Sequence, residues 1–164
     1  MKGSTASTAF ICFGAWILGV NGISWLKTRV SGTTIQKIAD RNLDSTQWSF
    51  KSAYKTGKDT NKNSIFVADV FKKAGVIVPQ INNWWSSPIG AGEWGNPNSS
   101  YLKGNSCWSQ VSTPGIGDVI SDGQAVAIVT GQQKTTRATL EKVVKDDWGF
   151  LSDSQNIVFW HYSC

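Results

Sequence analysis

Nucleophilic hydrolysis needs a thiol or hydroxyl, a base to take its proton and a polar group to orient that base. The chain offers few residues of these types. His161 is its single histidine, set in Phe159-Trp160-His161-Tyr162. Ser64 opens an apolar-striped segment, Asn63-Ser64-Ile65-Phe66-Val67-Ala68-Asp69-Val70-Phe71, and Asn63 precedes it. Asp146 and Asp147 are adjacent in Val143-Val144-Lys145-Asp146-Asp147-Trp148, and alternation along a strand lets only one of them face a groove. Cys107 and Cys164 are the two cysteines beyond residue 22. One histidine and such a cysteine pair give no metal-ligand spacing, so we expect no metal and no cofactor. Ser64 is a weak nucleophile candidate with no base beside it in sequence, and His161 reads as a surface or edge histidine.

The elements that must position these residues follow from periodicity. Thr33 to Asn42 reads as a helix capped by Thr34, with Ile35, Ile38 and Ala39 on one face. Asp44 to Thr60 reads as polar loop interrupted by Trp48, Phe50 and Tyr54. Asn63 to Ala74 reads as the central helix, its stripe formed by Phe66, Val67, Val70 and Phe71. Asparagine is among the best N-cap residues, which accounts for Asn63 without any chemistry. Gly75 ends the helix, and Lys72 and Lys73 suit its negative end. Pro79 to Ser106 is irregular and rich in Trp, Gly and Pro, as a covering loop is. Val119-Ile120, Ala125 to Val129, Val143-Val144 and Ile157 to Trp160 read as short strands. Helices followed by a strand meander predict an α+β domain.

Composition narrows the function classes. Lys2, the apolar run Ala9 to Val20 and the small residues ending near Asn21-Gly22 read as a cleaved signal peptide over 1–22. That leaves one domain over 23–164 and an extracellular destination. In an oxidising compartment Cys107 and Cys164 default to a disulfide, and Asn98-Ser99-Ser100 is a glycosylation acceptor in a eukaryotic host. No stretch after residue 22 is apolar enough to cross a bilayer. The formal charge is +5, or +4 once Lys2 is removed (5 − 1). The lysines are dispersed, which serves solubility and does not make a nucleic-acid footprint. Nine tryptophans are many for this length. Trp108, Trp148 and Trp160 read as core. Trp84 and Trp85 read equally as core or as stacking platforms for sugar rings.

Two segments together resemble a known family. Asn61-Lys62-Asn63-Ser64-Ile65-Phe66-Val67 and Gly117-Asp118-Val119-Ile120-Ser121-Asp122-Gly123-Gln124-Ala125-Val126-Ala127-Ile128-Val129 resemble the signature blocks of NlpC-type peptidoglycan amidases. The subset most similar is the type VI secretion amidase effectors and their domesticated animal relatives. The resemblance covers roughly Thr60 to Cys164. It implies a papain-like fold with a central helix packed on a small antiparallel sheet, and a monomer acting on bacterial peptidoglycan. It puts Asn63 where the family carries its nucleophilic cysteine and Ala125 where it carries its histidine. Asp146 or Asp147 falls in the block that supplies the third polar residue. Trp84, Trp85, Glu93 and Trp94 fall where relatives border the substrate groove. A carboxamide is not a nucleophile and a methyl is not a base, so the expectation is a pseudoenzyme that binds cell wall. The alternatives are a cell-wall hydrolase with relocated residues, Ser64 or His161 taking part, and an engineered inactive form of a cysteine amidase.

Overall fold

The computed structural model describes residues 29–81, 87–151 and 156–164. The expected signal peptide and the Trp84-Trp85 pair lie outside the described residues. Four helices precede and border a sheet: α1 (Gly32–Asp40), α2 (Asn63–Lys73), α3 (Ala91–Trp94) and α4 (Ser100–Lys103). Six strands follow, β1 (Trp108–Val111), β2 (Val119–Ser121), β3 (Val126–Gly131), β4 (Lys134–Ala138), β5 (Val143–Asp146) and β6 (Val158–Tyr162). They form one antiparallel sheet in the order β1-β6-β2-β3-β4-β5. The α+β expectation therefore holds.

α1 begins one residue before its expected start, and its cap is Ser31 rather than Thr34. The Ser31 hydroxyl accepts the Thr34 N–H at 3.2 Å, satisfying a donor that the first turn leaves free. Ile35, Ile38 and Ala39 are buried as the spacing requires. In α2 the stripe of Phe66, Val67, Val70 and Phe71 is fully buried, and Gly75, at φ +86°, carries the chain out of the helix. Both helices pack on β3. Their core runs on through Trp94, Trp108, Leu102 and Trp160. The opposite face of the sheet has a smaller cluster, Ile120, Ala127 and Val129, covered by Trp148, Phe150, Leu151, Ile157 and Phe159.

One expectation needs correction. Trp94 has no exposed surface, so it serves the core against Trp108, ring centroids 5.1 Å apart, and cannot border a ligand. Glu93 accepts a hydrogen bond from Ser99 Oγ at 2.6 Å and holds the short helices together. The polar stretch 44–60 is loop, as expected, and its aromatic residues anchor it. Trp48 is buried edge-on to Phe66, and its Nε1 donates to Asp69 Oδ2 at 2.9 Å. Lys55 donates to the other Asp69 oxygen. Burial opposes the Lys55 charge, yet the Asp69 carboxylate outweighs it and holds the ammonium above its ordinary pKa.

β1 and β4 had no strand pattern in the sequence. In β4, Thr135 and Thr136 are fully buried. Thr136 Oγ1 donates to Asp40 Oδ1 at 2.5 Å and is hydrogen-bonded to Thr130 Oγ1 at 2.9 Å. Thr135 Oγ1 donates to Asp146 Oδ1 at 3.4 Å, so bonded hydroxyls take interior positions that a hydropathy pattern assigns to solvent. Cys107 and Cys164 are disulfide-bonded, Cα atoms 5.2 Å apart. The bond closes a loop of 57 residues, worth about 4 kcal/mol by chain entropy.

Candidate functional site

Asn63 is the first residue of α2, and the cap position before it belongs to Lys62, whose side chain makes no capping bond to the helix. The donors at the helix start are satisfied by two asparagines instead. Asn61 Oδ1 accepts the Asn63 N–H at 3.0 Å, and Asn63 Oδ1 accepts the Ser64 N–H at 2.7 Å. Ser64 Oγ also donates to Asn63 Oδ1, at 3.3 Å. Lys62 turns inward, almost wholly buried. Its ammonium uses all three donors, on Gly57 O at 2.8 Å, Thr60 O at 3.1 Å and Thr60 Oγ1 at 3.0 Å. A buried charge is tolerable only with such full pairing. Nothing in the sequence signals it beyond a lysine beside the helix start.

Ala125 does not lie in a strand but just before β3, at the end of the β2–β3 turn. It is held at both backbone atoms. Asp122 Oδ1 accepts its N–H at 2.8 Å, and its carbonyl accepts from Ser121 Oγ at 2.7 Å. The turn is pressed against α3's end at Gly95, where an added Cβ would come within 2.1 Å of Gly123 N. Glycine is required there by contact, not by φ.

These two rigid points meet. Asn63 and Ala125 line one open cavity of about 370 Å³, with Asn61, Gln124 and the segment 137–141. Neither a thiol nor an imidazole is among the lining residues. Ser64 is not among them either. Asp146 touches the site indirectly: its carboxylate takes Arg137 Nη2 at 2.7 Å and Nε at 3.3 Å, and Arg137 is the residue that lines the cavity. Asp147 faces elsewhere, accepting the Gly149 N–H at 2.9 Å as the cap of a short 3₁₀ turn. The adjacent pair is thus resolved into one salt-bridge partner and one turn former.

His161 belongs to a different place. Its Nδ1 is 2.7 Å from Oδ1 of the buried Asp118, whose Oδ2 accepts the Gly115 N–H at 2.7 Å. This pair borders a second cavity of about 230 Å³, with Arg29, Ser31 and Tyr162, which shares no residue with the first. Among the described residues no cluster of three or more histidines, cysteines or carboxylates has metal-binding geometry. No described helix is long and apolar enough to cross a membrane.

Sequence reading missed Arg137, Leu140 and Glu141. They sit on and after β4, the strand that hydropathy did not reveal. The turn residues Gly131-Gln132-Gln133, followed by Lys134 and two threonines, were the available hairpin cue. The chain matches no protein-family model and no curated protein.

Proposed function

We propose that this protein is a secreted, catalytically silent member of the NlpC-type amidase lineage that binds bacterial peptidoglycan. The observation that carries the reading is the shared cavity. Two motif positions 62 residues apart in sequence (125 − 63) converge on it, as a nucleophile and its base would in a papain-like hydrolase. Both are occupied by groups that cannot do that chemistry. The start of a helix beside a rigid turn is the right setting for a low-pKa thiol, and here it holds a carboxamide bonded to its neighbours. The disulfide fits an oxidising, extracellular compartment.

A hydrolase with relocated residues has one observation in its favour. Asp118 orients His161 through Nδ1, as a carboxylate orients a catalytic imidazole. That pair opens on a cavity apart from Asn63, and Ser64 has no imidazole in its own surroundings, so silent binding is the better account. The deciding experiment incubates the purified protein with peptidoglycan sacculi, assays released fragments and sediments the sacculi. Co-sedimentation without release is expected. Absence of co-sedimentation overturns the binding reading. Release that His161→Ala abolishes establishes the relocated site.

A further inference from the structure

The far end of α2 leads into an exposed surface that neither of the two cavities uses. Lys72 and Lys73 close the helix, both exposed, and among the described residues neither ammonium has a partner. Ile77 follows. At 79% it is the most exposed large apolar side chain among the described residues. Its outward placement is fixed by its neighbours. Val76 and Val78 on either side are buried, and the Val76 N–H donates to Phe71 O at 2.9 Å. An aliphatic side chain is thus held in water next to two free cations.

These groups share one surface. Two open hollows of about 410 and 340 Å³ both have Lys55, Asp69 and Lys72 on their walls; the first adds Lys73, the second Ile77 and Pro88. Lys55 is committed to Asp69. Lys55, Lys72 and Lys73 against Asp69 leave a net charge of +2 (3 − 1). A small soluble anion would meet the lysines and leave Ile77 in water. A wholly apolar partner would strip water from two unpaired ammonium groups. An acidic bilayer meets both needs. Its headgroup phosphates face the ammonium groups, while the lysine stems and Ile77 lie at the acyl boundary.

We propose that this face, with Lys72, Lys73 and Ile77 at its centre, docks on membranes rich in acidic phospholipids. Each lysine near such a surface strengthens binding about fivefold, and partial burial of Ile77 contributes about tenfold. Together these give half-saturation at roughly 4 mM accessible lipid. That is the weak, reversible attachment of a protein that rests on a bilayer and does not span it. The inference is separate from the wall-binding reading and uses none of its residues.

The test sediments the mature protein with lipid vesicles, which carry no cell wall. Vesicles of phosphatidylcholine mixed equally with phosphatidylglycerol should carry the protein down, and vesicles of phosphatidylcholine alone should not. Added salt should release it. Lys72→Gln with Lys73→Gln should weaken binding about 25-fold, and Ile77→Ser about tenfold. Lys103→Gln with Lys134→Gln, an equal loss of charge elsewhere, should cost less than about threefold. All of these side chains are exposed, so the variants should keep the fold, which circular dichroism checks. Binding to neither vesicle type, or equally to both, overturns the inference. So does a control pair that loses as much as the Lys72 and Lys73 pair, since net charge would then be the cause. An Ile77→Ser chain that binds like the native one marks a site for soluble polyanions and overturns the bilayer assignment. Sacculi are read separately: failure there leaves the membrane face standing, and failure on vesicles leaves the wall-binding reading standing.

Discussion

The two cavities divide between them what a hydrolase keeps together. The one at the start of α2 has position without reactivity. Asn63 and Ala125 are fixed by hydrogen bonds of 2.7–3.0 Å on both sides, yet neither can move a proton. The one at β6 has a reactive group without that setting. Asp118 orients His161 at 2.7 Å, but the residues around it do not include the start of α2. The rigidly held pair and the carboxylate-paired imidazole therefore lie in separate cavities. A site is held in place by the residues that support it, whatever groups occupy it.

The strongest way to break this comparison is to return reactivity to the positioned cavity. Asn63→Cys with Ala125→His should release wall fragments, while either change alone should not. Absent reacting groups typically cost on the order of 10⁴–10⁶ in rate, so partial recovery would stand roughly 10²-fold above background. An inert thiol and no release in the double variant would show that the cavity has position in name only.

Removing the disulfide attacks the other region. Cys107→Ser with Cys164→Ser should lower stability by about 4 kcal/mol in denaturant titration. Amide exchange should rise first along β1 and β6, the paired strands that the bond secures, which carry His161. Uniform loosening that reaches Ala125 equally would blur the separation of the two cavities.

Gly95→Ala sharpens it from the first side. The new methyl would sit 2.1 Å from Gly123 N and 2.4 Å from its Cα, where backbone must yield. A loss of about 1–3 kcal/mol is expected in thermal unfolding. Added to the double variant Asn63→Cys with Ala125→His, it should reduce fragment release further than stability alone accounts for, since the turn carries the second of those positions. Retained release would show that the α3 contact does not set it.

Asp69→Asn probes whether the positioned cavity depends on the anchored 44–60 stretch. It weakens the partners of Trp48 Nε1 and Lys55 and should cost about 2 kcal/mol, discounted toward 1 because Lys55 is partly exposed. The smallest effect is its pH dependence. Lys55 has a folded pKa raised above the ordinary lysine value of 10.5. Its stabilisation is complete below that value and is lost as pH rises through the folded pKa. Denaturation midpoints taken above pH 10.5 should therefore decline with pH in the native chain, and less steeply in Asp69→Asn. Parallel slopes would remove Asp69 as the cause.

The sequence by itself determined the elements whose side chains repeat with the backbone period. α2 was legible because Phe66, Val67, Val70 and Phe71 recur on one face and glycine follows. β2, β3 and β6 were legible because their apolar residues form unbroken runs. The two motif blocks raised the meeting of Asn63 and Ala125 only as an expectation; that both line one cavity is a tertiary fact. What only tertiary structure decided is where polar groups go. Lys62 is buried because three oxygens of its own preceding turn meet its ammonium, a satisfaction that no local pattern encodes. Thr136 enters the interior because Asp40 and Thr130 lie across from it, and Thr135 because Asp146 on the paired strand does. The same rule divided Asp146 from Asp147, since Arg137 on the neighbouring strand could reach only one. Apolar burial follows residue type and spacing; polar burial follows partners, and partners are supplied by the fold.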